Sequence, residues 1–190
     1  MRKLKLQVQM SVDGYVGGPN GELDWMTWSW SEDIKKYVAH LTDSVDTILL
    51  GRKMTDGFVS HWTNVTADPN HEEYSAAKKF VDYPKVVFTK TLTKSEWKNT
   101  TLAKGNLSEE VHNLKKQNGK DIIVYGGAGF VSSLVRENLI DEYYLFINPT
   151  AIGKGMEIFK NLNDKMNLKL IDSSAFKCGI LLPHYEPNRS

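Results

Sequence analysis

Apolar residues recur along this chain with two different periods, and the switches between them predict its elements. Leu4, Leu6, Val8 and Met10 alternate with Lys5, Gln7 and Gln9, the period of a strand with one face buried. The stretch "SVDGYVGGPNGELDW" that follows holds too many turn formers for regular structure. Ser31, Glu32 and Asp33 then supply a helix start, after which Ile34, Tyr37, Val38 and Leu41 recur at helical spacing. "VDTILLG" reads as a short apolar strand ending at Gly51, with Arg52 and Lys53 entering the next helix. A surface helix is expected over about residues 68–80, and "KVVFTK" reads as a strand. Leu107, Val111 and Leu114 form one stripe of a helix that Gly119 stops. After it come the strand "DIIVYGG", a helix carrying Phe130, Val131, Leu134 and Val135, and the strand "EYYLFIN". The tail "NLKLIDSSAFKCGILLPHYEP" reads as two strands around a turn at Ser173 and Ser174.

Strands alternating with helices predict an α/β fold, with a mostly parallel central sheet covered on both faces and an antiparallel C-terminal hairpin. The 190 residues suit one domain, and no repeat, low-complexity tract or linker divides them. A net charge of +1 gives no basic field of the kind that nucleic-acid binding needs. The single cysteine, Cys178, cannot close an internal disulfide, and the five histidines show no ligand spacing, so no metal is expected. The N-terminus alternates instead of forming a continuous apolar core, and no run approaches the ~20 apolar residues that cross a bilayer. A cytoplasmic protein with no membrane or nucleic-acid partner is the expectation.

The chemistry concentrates where strands end in glycine. In "IIVYGGAGFV", Gly126, Gly127 and Gly129 stand between a strand and a helix. They serve either a turn that needs positive φ or the close approach of an anion to bare backbone at a helix N-terminus. Gly51 ends another strand, and Arg52 and Lys53 follow it into a helix, where cations oppose the macrodipole. They are solvated surface charges, or they meet an anion. Two such strand ends in one sheet suit a ligand with separated phosphates, such as a dinucleotide bearing a 2′-phosphate.

The order of "MSVDGYVGG", "LLGRKMTDGF", "VVFTKTL" and "IIVYGGAGFVSSLVRENLIDEYYLFINPTAIGKG" resembles the dihydrofolate reductase superfamily. Within it, the chain is similar to the bacterial branch of the C-terminal reductase domain of riboflavin biosynthesis. The resemblance spans nearly the whole chain and is most specific over residues 122–159. It implies a dihydrofolate reductase-like three-layer α/β/α fold that uses NADPH to reduce a small heterocycle. The implied substrate class is pterin- or aminopyrimidine-like, similar to that of 5-amino-6-(5-phosphoribosylamino)uracil reductase. True dihydrofolate reduction and nucleotide binding without turnover are the alternatives, and the family admits a homodimer.

Residue by residue, the resemblance implies Gly51, Arg52 and Lys53 near the adenosine phosphates. Thr89 and Lys90 fall on the adenine-ribose side, and Gly126, Gly127, Ala128, Gly129 and Phe130 at the pyrophosphate. The family reads Gly-Arg-x-Thr where this chain has Met54, with Thr55 one place later, so NADH is not excluded. On the substrate side, Asp13 and Gly14 match the family's Ser-x-Asp-Gly turn, and Asp33 falls close to its proton-relaying acid. Asp13 equally suits an Asx turn, and Asp33 a first-turn acid that complements the helix dipole. Trp25 and Trp28, with Trp30, are candidates to stack on a flat acceptor or to pack in the core, as is Trp62. The loop from Ser11 to Trp30 is the expected pocket wall or lid, and Lys154 either meets a substrate phosphate or is solvated.

Overall fold

The computed structural model describes residues 1–188. The elements run β1 (Leu4–Ser11), α1 (Glu32–Asp43), β2 (Val45–Gly51), α2 (Arg52–Val65), α3 (Tyr74–Asp82), β3 (Lys85–Phe88), β4 (Thr100–Ala103), α4 (Leu107–Lys116), β5 (Asp121–Val124), α5 (Ala128–Arg136), β6 (Glu142–Asn148), β7 (Leu168–Ala175) and β8 (Leu181–Pro187). The strands form a single eight-stranded sheet in the order β4-β3-β2-β5-β1-β6-β8-β7. All pairs from β4 to β6 are parallel, whereas β8 is antiparallel to both β6 and β7. The carboxyl ends of β1, β2, β5 and β6 therefore share one rim.

Two apolar layers flank the sheet. Leu4, Leu6 and Val8 of β1, Leu49 of β2, and Ile122 and Val124 of β5 pack against Val111 of α4 and Val131, Leu134 and Val135 of α5. On the opposite face, Ile48 and Leu50 of β2 and Ile123 of β5 meet Ile34 and Leu41 of α1 and Phe80 of α3, with Phe58 and Trp62 of α2 packed beside them. Helices on both faces explain why β2 and β5 are apolar without alternation.

β1 departs from its expected one-sided burial. Lys5 and Gln7 are buried too, because β1 lies between β5 and β6 under α1's layer. The Lys5 ammonium is neutralised there by Asp121 at 3.0 Å and hydrogen-bonds the Ser44 hydroxyl.

Three boundaries differ from expectation. Residues 68–73 form turns, with His71 N–H donating to Asp68 O, so the helix begins only at Tyr74. Ser173 and Ser174 lie inside β7, and the hairpin turns instead at residues 176–180, where Gly179 adopts φ +91°. β7 is an edge strand, so its outward polar residues need not alternate with apolar ones, and they imitate a turn in the sequence. β4 was not anticipated: "TTLA" is short, and its pairing with β3 depends on a crossover with no helix.

Candidate cofactor and substrate site

The two glycine turns are neighbours in space. A Cβ on Gly127 would lie 3.8 Å from the Cα of Gly51, and a Cβ on Gly51 would collide with Phe130 at 2.7 Å. The glycines thus have separate duties. Gly51 lets Phe130 pack across β2 and onto Phe88, with ring centroids 4.9 Å apart. Gly126 (φ +154°) and Gly127 (φ +82°) turn the chain from β5 into α5, and Gly129 borders open space. Phe130 is accordingly a spacer between the turns, with its ring half-buried.

Neither α2 nor α5 has a side-chain hydrogen bond at its N-cap, or an acid in its first turn, among the described residues. By contrast, α4 is capped by Asn106 and carries Glu109 and Glu110, and α1 carries Glu32 and Asp33. α3 is uncapped as well, but Glu73 stands at its N-cap. In α5 the first helical bond runs from Val131 N–H to Gly127 O, so the amides of Ala128, Gly129 and Phe130 precede it. Both bare helix ends face the shared rim with partial positive charge.

Arg52 is held in place. Its guanidinium donates to Asp56 at 2.9 Å and lies 5.5 Å from the ring centroid of Trp97, whose indole N–H donates to the other Asp56 oxygen at 3.2 Å. Lys53 is exposed. Thr55 is a correction to expectation: it is fully buried and donates its hydroxyl to Gly51 O at 3.1 Å, so it braces the turn from within. Met54 stands between the turns, since a Cβ on Gly126 would lie 3.2 Å from its sulfur. Thr89 is buried, and its hydroxyl accepts from the amides of Thr91 and Leu92. Lys90 donates to Lys104 O and Gly105 O.

After β1 and at the start of α1, the carboxylates act as clips. Asp13 accepts from the Ser11 hydroxyl at 2.6 Å and from the amides of Ile152 and Gly153, tying the β1 loop to the segment after β6. The Ser11 hydroxyl and the Gly153 amide hold its carboxyl below the usual range. Asp33 accepts from the Ser31 hydroxyl and from the amides of Ile34 and Lys177, which fastens α1 to the β7–β8 turn, and the Ser31 bond lowers its carboxyl likewise. Both are therefore ionised at neutral pH. Gly14 (φ +94°) is open on its Cβ side.

The loop from Ser11 to Trp30 is fixed at several points. Gly17 bridges to Met156, and Thr27 N–H donates to the side-chain oxygen of Asn148 at 2.8 Å. Asn148, at the end of β6 and fully buried, also donates to the Gln9 side chain at 2.8 Å. It was not singled out in the sequence, because a lone Asn after a strand reads as a turn residue. Trp25 donates to Glu22 O and lines an open groove of ≈ 420 Å³ with Pro19, Ile152 and Lys154. Trp28 projects into solvent at 66 % exposure. Trp30 is half-buried against the core and stacked on Phe146, and Trp62 packs on Phe80. Among the described residues no group of His, Cys, Asp and Glu is arranged to hold a metal ion, and no helix is long and apolar enough to cross a membrane.

The three-layer sheet with its antiparallel C-terminal strands defines a dihydrofolate reductase-like protein. More narrowly, the chain belongs to the RibD C-terminal domain family, whose model matches residues 2–182. It is 30 % identical over 187 residues to YyaP, an uncharacterised protein of Bacillus subtilis (strain 168), covering 98 % of this chain and 96 % of YyaP. Among solved structures, a Shewanella sp. PV-4 protein named for riboflavin biosynthesis is similar, with a TM-score of 0.75, 22 % identity and complete coverage of both chains. The diaminohydroxyphosphoribosylaminopyrimidine deaminase/5-amino-6-(5-phosphoribosylamino)uracil reductase of Thermotoga maritima gives a TM-score of 0.69 at 15 % identity, covering 98 % of this chain and 56 % of that one.

Proposed function

We propose that this protein is an NAD(P)H-dependent reductase of a small planar heterocycle, pterin- or aminopyrimidine-like. The observation that carries this reading is the contact between two uncapped glycine turns on one rim, one of them followed by Arg52 and Lys53. Family membership and the reductase named among the similar structures support it.

The residues fit a dinucleotide because the positive φ of Gly126 and Gly127 turns the backbone so that no side chain covers it, Gly129 borders open space, and the amides ahead of Val131 are free of helical partners. Those amides would hold the pyrophosphate, and Arg52 and Lys53 the phosphate on the adenosine ribose. The bound coenzyme supplies the hydride. The chain contributes orientation: the wall fixed by Asp13 and Asn148, and α1 fixed by Asp33, face the acceptor from opposite sides of the β1 end. Asp13 and Asp33, ionised in the free protein, position the pocket, and the proton that completes the reduction is drawn from solvent. Trp25 offers an aromatic surface beside the wall.

Turnover is tested by following coenzyme oxidation against a panel of pterins, aminopyrimidines and flavin precursors. Oxidation with one of these substrates is expected. Tight coenzyme binding with no oxidation by any panel member would favour a nucleotide-binding protein without catalysis. For the cofactor, Arg52→Ala should weaken NADPH about tenfold and NADH much less, measured by calorimetry. Equal weakening of both removes Arg52 from the 2′-phosphate.

A further inference from the structure

Arg52 does not stand alone at the rim. It closes a triad in which the Asp56 carboxylate accepts from both the guanidinium, at 2.9 Å, and the Trp97 indole, at 3.2 Å, while the guanidinium lies over the Trp97 ring. We infer that Asp56 is a specificity-determining residue: it partly neutralises Arg52, so the protein discriminates weakly between phosphorylated and unphosphorylated forms of its coenzyme. The inference rests on the reductase reading proposed above.

Three features of the triad give the sign. A guanidinium has five N–H donors, so Asp56 leaves others free and does not block an incoming phosphate. The carboxylate and that phosphate would then share one cation, on opposite edges of it, about 7 Å apart. Like charges at that separation near water cost about threefold in affinity per unit charge, and a phosphomonoester carries between one and two. The opposing effect is preorganisation, since Asp56 also holds the arginine still. Trp97 supplies much of that restraint by stacking, and an amide at position 56 would keep the indole hydrogen bond, so the charge term dominates. Met54, where the family has a hydroxyl, adds no compensating donor for a phosphate.

Asp56→Asn removes the charge and the bond to Arg52 together, while the side chain keeps its size and one acceptor oxygen for the Trp97 indole. The position is exposed, so the variant should melt like the wild type. Calorimetric affinities for NADPH and NADH are measured for both proteins at low and high salt. The expected result is about a fivefold rise in the NADPH preference of Asp56→Asn at low salt, shrinking at high salt as the repulsion it removes is screened. An unchanged or reduced preference, with both coenzymes still bound, overturns the role of Asp56 and leaves the reductase reading standing. Failure of the wild type to bind either coenzyme at millimolar concentration overturns both.

Discussion

Gly127 and Gly129 sit two residues apart, yet their backbones ask for different things. Gly127 adopts φ +82°, which an L side chain reaches only with strain, whereas Gly129 lies in α5 at ordinary helical φ with open space beyond its Cα. Gly127→Ala should cost about 1–2 kcal/mol of stability and weaken the coenzyme at least about tenfold. Gly129→Ala should gain a few tenths of a kcal/mol or more from helix propensity, up to about 1. Any coenzyme affinity that it loses is then steric in origin. Urea melts and calorimetry on the two variants separate the cases. Full affinity in Gly127→Ala would show that the turn is architectural only. The sequence places these residues at a strand end, but φ is a consequence of where the following helix must dock. Asp56 shows the converse: its position four residues after Arg52 is legible as a helical ion pair, while Trp97 arrives from a distant segment.

Among the elements, α3 depends on a residue outside it. Lys85, at the start of β3, is 2 % exposed and donates to the carbonyls of Phe80, Val81 and Tyr83 at 3.0, 2.9 and 2.7 Å. Burial pushes its ammonium down to about 8, while three acceptors matched to three donors favour the charged form. The lysine thereby satisfies the carbonyl end of α3, which has no Schellman glycine. Lys85→Met keeps the apolar stem and removes the donors. It should cost about 2–3 kcal/mol and lower Tm by about 5–10 °C in a thermal melt. An unchanged Tm would mean that water caps the helix equally well. The short apolar run in "KVVF" shows a strand and conceals this duty, since a lysine before such a run ordinarily reads as solvated.

For the whole molecule, the amino-terminal rim of the sheet is tied by charge. Glu142 accepts from Lys3 at 2.6 Å and from the Tyr144 hydroxyl at 2.7 Å, with Lys5 at 3.9 Å. Burial raises its carboxyl, but Lys3, Tyr144 and Lys5 outweigh burial and the net direction is down from 4.5. A carboxyl depressed in the folded state contributes stability above its unfolded value, and that contribution is lost as pH falls through the folded value. Below about pH 4.5 the wild type should therefore lose Tm more steeply than Glu142→Gln, by about 2–4 °C, in melts across an acid series. Parallel curves would place acid sensitivity elsewhere.

What the sequence determined by itself was local: strand and helix periods, the glycine-marked strand ends at Gly51 and Gly126, and the motif order that places the chain in its family. Those features are written in neighbouring residues, so they survive without knowledge of the fold. Only the tertiary structure decided that Gly51 touches Gly127, that Lys5 and Gln7 are buried, that Asp13 and Asp33 clip loops, and that Trp97 rests on Arg52. Each of these depends on strand order and crossover path, where residues far apart in the chain meet because the sheet must be covered on both faces.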